Sequence, residues 1–150
     1  MTGTLHATDE LVAMAWLASI PGFSPSIVGT QTPQKSESWA ATGFLVVTGG
    51  VGGGLLGDQG ALHAPVVQVD AFAVPAGGGG KPPWGRANTL LETIIRAAYD
   101  APARTLTLPA GFPTVRVLDV LPESTPRRVP GEPTPIARYT LDLSFYWAEL

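Results

Sequence analysis

The alternation at the end of this chain constrains its fold more than any other feature. In Ala137-Arg138-Tyr139-Thr140-Leu141-Asp142-Leu143-Ser144-Phe145-Tyr146-Trp147 the odd positions are Ala, Tyr, Leu, Leu, Phe and Trp, and the even ones are Arg, Thr, Asp, Ser and Tyr. Successive side chains of a strand point to opposite faces, so this pattern predicts a β-strand with one buried face and one wet face. Such a strand needs a sheet beside it and a second layer over its apolar side.

Earlier segments supply candidates for both. Phe44 to Thr48 reads as a short β run that ends in the glycine tract Gly49 to Gly54. Val66 to Val74 alternates, with Val67, Val69, Ala71 and Ala73 on one face and Gln68 and Asp70 on the other. The two runs are expected to form an antiparallel hairpin, because no helical pattern separates them. Thr114 to Leu121 reads as a third strand.

Two stretches have helical spacing instead. Thr8 ahead of Asp9 and Glu10 is an N-cap candidate with acids in the first turn, and Leu11, Met14, Ala15 and Ala18 then recur on one face. This predicts a helix from about Thr4 or Thr8 to Ser19, with that stripe in the core, Trp16 and Leu17 packing at its flank and Pro21-Gly22 as its stop. Trp84 to Tyr99 follows a rigid Pro82-Pro83 and carries the stripe Ala87, Leu91, Ile94 and Ala98, broadened by Leu90 and Ile95.

The expected order is helix, strand, strand, helix, strand, strand. It describes an α+β domain with an antiparallel or mixed four-stranded sheet and two helices on one face. The 150 residues fit a single domain. Long loops are expected at 21–43, 49–65, 75–83 and 122–135, the last studded with prolines that no helix or central strand accepts.

Composition narrows the chemistry. With no cysteine, the chain has no disulfide, thiolate nucleophile or Cys-based zinc site; His6 and His63 are too few for a three-histidine centre and too far apart for HExxH, although carboxylates could still bind a hard cation. Nine Lys and Arg against twelve Asp and Glu, a net charge of −3, give no basic footprint for nucleic acid. Charged residues make up 14% of the chain, against about 25% in ordinary domains. So uncharged a surface points either to coverage by partners or copies, or to a Gly/Pro/Ala-rich composition bias. The amino terminus lacks a basic n-region and is not read as a signal peptide, and Gly43 to Leu56 is too short and too glycine-rich for a membrane helix.

Motif matches fail on context. Gly52-Gly53-Gly54-Leu55-Leu56-Gly57 fits GxGxxG, but Gly57-Asp58-Gln59-Gly60 cannot start the helix whose N-terminus would hold a pyrophosphate. Gly80-Lys81 lacks the upstream glycine of a phosphate loop and has Pro82 where Ser or Thr should hold magnesium. His63 with Asp58 or Asp70 resembles a base and its orienting acid without any nucleophile to activate. Asp119 and Asp142, on neighbouring candidate strands, are an acid pair only if their registers match; Arg116 and Arg138 offer them ordinary salt-bridge partners. No cofactor or metal is expected, and the chain does not read as an enzyme.

What remains are residues suited to contacts. Trp39, Leu55, Leu56 and Leu62 fall in expected loops, where they either fold back as a satellite core or meet a neighbouring subunit; the second is favoured. Arg127-Arg128, the one basic doublet, is expected as an exposed solubilising or partner-docking pair.

Val67-Gln68-Val69-Asp70-Ala71-Phe72-Ala73 and Lys81-Pro82-Pro83-Trp84-Gly85-Arg86-Ala87-Asn88, set in this element order from Asp9 to Trp147, resemble the tail terminator proteins of long-tailed bacteriophages, particularly those of actinobacteria. The resemblance implies a small α/β subunit of a homohexameric ring. That ring would sit on the head-proximal end of the tail tube, stop tube growth and meet the head–tail connector or stopper protein. Its partners would be copies of itself, the tail tube protein and that connector, with DNA passing through the lumen without specific binding. Assembly would take place in the host cytoplasm and the product would reside in the virion tail. The resemblance brings no catalytic residue. Another connector, stopper or tail completion subunit is the neighbouring alternative, and a small ligand-binding or hydrolytic domain the more distant one.

Overall fold

The computed structural model describes residues 5–56, 62–77 and 80–150, with backbone alone over 51–56. Its elements are α1 (Asp9–Ala18), β1 (Val28–Gly29), β2 (Phe44–Leu56), β3 (Leu62–Ala73), α2 (Trp84–Asp100), β4 (Arg104–Leu106), β5 (Val115–Pro122), β6 (Arg127–Arg128) and β7 (Ala137–Glu149). The α+β plan holds, but among the described residues the sheet has seven strands rather than four, in the order β1-β2-β3-β7-β5-β4 with β6 also paired to β7. All pairings are antiparallel except β1 with β2.

The terminal alternating strand sits at the centre. β7 pairs with β3 from Ala137↔Ala73 to Trp147↔His63, and on its other side with β5 from Leu143↔Pro122 to Glu149↔Val115. Leu141, Leu143, Phe145 and Trp147 are buried in the main core with Val67, Val69, Ala71 and Ala73 of β3 and Val115, Val117 and Val120 of β5. Each Val, Leu or Phe side chain among these, fully buried, contributes about 1.5–3 kcal/mol of hydrophobic stabilisation. Both helices deliver their buried residues to this same cluster.

The glycine tract is not a loop. Gly52, Gly53 and Gly54 lie in β2 opposite Val66, Pro65 and Ala64, after a register shift between Thr48 and Gly52. Glycine is a poor strand former on its own, and here the ladder to β3 imposes the extended backbone. Pro65 likewise lies inside β3 rather than ahead of it. The β3–β7 ladder skips Ala64 and Pro65, which is where proline's missing N–H would have broken it. Most of the loop expected at 49–65 is therefore a long hairpin.

Two other expected loops also contain structure. The 21–43 connection includes one-turn 3-10 segments at Pro25–Ile27 and Ser36–Ser38 and the short β1, whose Val28 and Gly29 pair with Leu45 and Val46. The 122–135 excursion contributes β6, with Arg127↔Thr140 and Arg128↔Tyr139, and places its two residues at an edge where its prolines do no harm.

Helix α1 starts as expected, Thr8 Oγ1 accepting from the Leu11 N–H. Its orientation is the reverse of the expected one. Val12, Ala13, Trp16 and Leu17 are buried, whereas Leu11, Met14, Ala15 and Ala18 are half-exposed. After Glu10 the helix is apolar nearly all round, so two stripes fit the helical period, and the one containing the larger Trp16 and Leu17 buries more area. Helix α2 buries the expected Ala87, Leu90, Leu91, Ile94 and Ala98, with Ala97 in the place expected for Ile95.

The second face of the sheet is not simply wet. Phe44, Val74 and Trp39 form a satellite cluster there with Val46, Phe72 and Ile136. Thr140 and Ser144, on the polar side of β7, are only 6% and 5% exposed.

Candidate functional site

The polar cover over β7 is built by the proline-rich excursion. Glu123 donates its N–H to the Asp142 carbonyl, and Val129 donates to that of Arg138. Ser124 Oγ accepts from the Asp142 N–H at 3.3 Å, and Ser144 Oγ donates to the Glu123 carboxylate. These bonds fasten the excursion along the free edge of β7 beyond β5.

The basic doublet is occupied within the chain. Arg127 Nη2 lies 3.7 Å from Asp142 Oδ2. The Arg128 guanidinium sits 4.0 Å from the centroid of the Trp84 ring, and Trp84 meets Tyr139 edge-on at 6.1 Å. Both arginines are exposed, so they remain on the surface, but held rather than free.

Trp39 belongs to the satellite core. It is 4% exposed and packs against Phe44 with ring centroids 6.2 Å apart, which removes it from the expected docking surface. Its backbone closes the turn before β2, accepting the Gly43 N–H at 2.8 Å, and this draws the indole under the sheet. Leu62 is half-buried at the start of β3, paired with Leu56. The backbones of Leu55 and Leu56 lie at the distal end of β2, while their side chains fall outside the described residues.

The catalytic constellations do not assemble. The His63 ring stacks on Trp147 at 3.8 Å and 9°, while Asp70 lies on the other face of β3. There the Asp70 carboxylate, 3% exposed, is held by Arg138 at 3.2 Å and by the Gln68 amide at 3.0 Å. Asp58 is outside the described residues. Asp119 faces Tyr146 across the sheet, four residues along β7 from Asp142, a separation of roughly 13 Å at strand rise. Asp119 Oδ1 accepts from the Val120 N–H, and Arg116 reaches Thr105 rather than Asp119. Arg138 is shared between Asp70 and Glu132. The GxGxxG glycines that are described are strand residues, not a strand-to-helix turn.

Among the described residues no group of three or more His, Asp or Glu side chains is placed to hold a metal, and no helix is long and apolar enough to cross a membrane.

Sequence reasoning missed an apolar groove beside α1. This groove of about 650 Å³ is lined by Leu11, Met14 and Ala18 of α1, Val28 of β1, and Leu106 and Leu108 at and after β4. Its α1 wall is the stripe expected in the core. The signal was present in the sequence as an apolar face too wide for one core contact.

The Lys81–Asn88 stretch acts as a joint. Arg86 Nη1 donates to the Ala40 carbonyl at 2.7 Å and to the Val74 carbonyl at 3.1 Å, tying α2 to the connection before β2 and to the end of β3. Trp84 supports the excursion through Arg128. No protein-family model matches the chain, and no curated protein is significantly similar to it.

Proposed function

We propose that the chain is a structural subunit of a long-tailed bacteriophage, a tail terminator whose ring caps the head-proximal end of the tail tube and offers the head connector its docking surface. The observation that carries this reading is the β2–β3 hairpin. Beyond Val46, β2 has β3 on one side and, among the described residues, no strand on the other. Val47 to Leu56 contains no charged residue and no proline. Natural edge strands are blunted by charges, prolines, bulges or cover; the register shift between Thr48 and Gly52 interrupts this edge, and beyond it Gly52–Leu56 has neither charge nor proline and is suited to a partner.

The residues that carry the resemblance support the same reading. Lys81–Asn88 holds the architecture together rather than lining a reactive pocket, as expected of a family defined by its assembly. Of the candidate acids and bases among the described residues, His63 is stacked on Trp147 and Asp70 and Asp142 are ion-paired, which fits a role without catalysis. A net charge of −3 suits a lumen through which DNA slides without sticking.

The test is a polymerisation assay with tail tube protein and the purified chain. The reading predicts that tubes stop growing early and carry an added ring at one end in electron micrographs. Tubes of unchanged length with bare ends would contradict it.

A further inference from the structure

β1 and β4 are the two ends of the sheet, yet both contribute walls to the single groove beside α1. The curl of the sheet therefore brings its two open edges to opposite sides of one cleft, like a barrel that lacks a strand. On the β4 side the wall is Thr105 to Pro109. It is fixed to the end of α1 by Arg104, whose Nη1 donates to the Ser19 carbonyl at 2.7 Å and lies 2.9 Å from Ser19 Oγ. No residue lining the groove carries a charge.

We propose that this groove receives the distal part of β2, Gly52–Leu56, from a second copy of the chain, added as a strand on the open edge of β4. The proposal rests on the ring-forming reading above and names the contact that would build the ring. Three observations select this occupant. The length suffices, since Gly52–Leu56 covers the short β4, Arg104–Leu106, and reaches along the groove wall that continues beyond it. The electrostatics fit, since an uncharged groove rejects a charged strand through desolvation, and neither segment carries a charge. The shape fits, since Gly52, Gly53 and Gly54 lack side chains where backbone must approach backbone in the cleft, and Leu55-Leu56 brings the apolar groups that its Leu and Met lining can bury. Donor and acceptor are different parts of the molecule, so the contact is head-to-tail. It continues from copy to copy and closes into a ring when the rotation permits.

The absence of cysteine makes the test clean. One preparation carries Leu56→Cys and another Ala18→Cys. Each is checked by thermal melting, and the two are mixed and treated with a short bis-maleimide. The proposal predicts one dominant heterodimeric product, with peptides containing positions 56 and 18 joined in the mass spectrum, and rings in the unmodified protein. In a further variant, Ala18→Arg should abolish assembly while the far-UV circular dichroism spectrum stays that of the folded subunit. Rings without the 56–18 cross-link would overturn the proposed contact and leave the ring reading standing. The cross-link without closed rings would keep the contact and sink the ring. Neither product would sink both. An Ala18→Cys protein that joins only to tail tube protein when tubes are added would show a foreign strand in the groove and overturn the proposal.

Discussion

The Arg128 guanidinium lies over the face of the Trp84 ring, 4.0 Å from its centroid. This contact joins the middle of the proline-rich excursion to the first turn of α2, two parts of the chain far apart in sequence. Cation–π pairs at exposed sites are worth about 0.5–1 kcal/mol. A double-mutant cycle with Arg128→Ala and Trp84→Ala should return a coupling energy of about that size. Amide hydrogen exchange over 123–135 should accelerate in Arg128→Ala while the α2 amides keep their protection. No coupling and unchanged exchange would show that the β6–β7 pairing alone holds the excursion.

Two buried tryptophans should respond differently to the same substitution. Trp16 Nε1 donates to the Pro102 carbonyl at 2.9 Å, and its ring meets Phe145 edge-on at 5.6 Å. Trp39 Nε1 is buried without a partner among the described residues. Trp16→Phe leaves the Pro102 carbonyl unpaired, a loss of about 1–3 kcal/mol beyond the packing change. Trp39→Phe removes a donor that already goes unsatisfied, which offsets part of its packing loss. Urea unfolding midpoints should therefore fall clearly further for Trp16→Phe, and equal shifts would contradict this assignment of the two indoles.

The same two residues show what the sequence could reveal. The alternation of β7 was legible because half of its positions are large and apolar, and burial followed that rule on the core side. The outer side departed from it because the excursion folds back, a long-range event that leaves no local pattern around Thr140 or Ser144. The orientation of α1 was illegible for the opposite reason, since Leu11-Val12-Ala13-Met14-Ala15-Trp16-Leu17-Ala18 offers apolar stripes in more than one direction. Trp39 and the Gly49–Gly54 tract looked like loop because their local propensities are loop-like; the satellite core overrides this at Trp39, and pairing with β3 overrides it at Gly52–Gly54. Among the expected contact residues, Leu62 lies on the hairpin as half-buried surface, and Arg127 and Arg128 stay on the surface in intramolecular pairs.

Gly43 should be the least replaceable of the turn glycines. Its φ is +78°, and an added Cβ would stand 2.6 Å from Leu90 Cδ1 and 3.0 Å from the Phe72 carbonyl oxygen. Gly22 also has a positive φ, +91°, but nothing stands within 4 Å of a Cβ there. Both Ala variants bear the backbone penalty of about 1–2 kcal/mol, and Gly43→Ala adds the overpacking cost of about 1–3 kcal/mol. Thermal melting should rank Gly43→Ala well below Gly22→Ala, and a reversed order would mean that Leu90 and the end of β3 yield without cost.

The central claim is that this chain works as an assembled ring, and native mass spectrometry of the purified protein tests it most directly. The account predicts a discrete hexamer that persists on dilution into the micromolar range and appears as closed rings in negative stain. A monomer at every concentration, which also fails to join tail tubes, would contradict it.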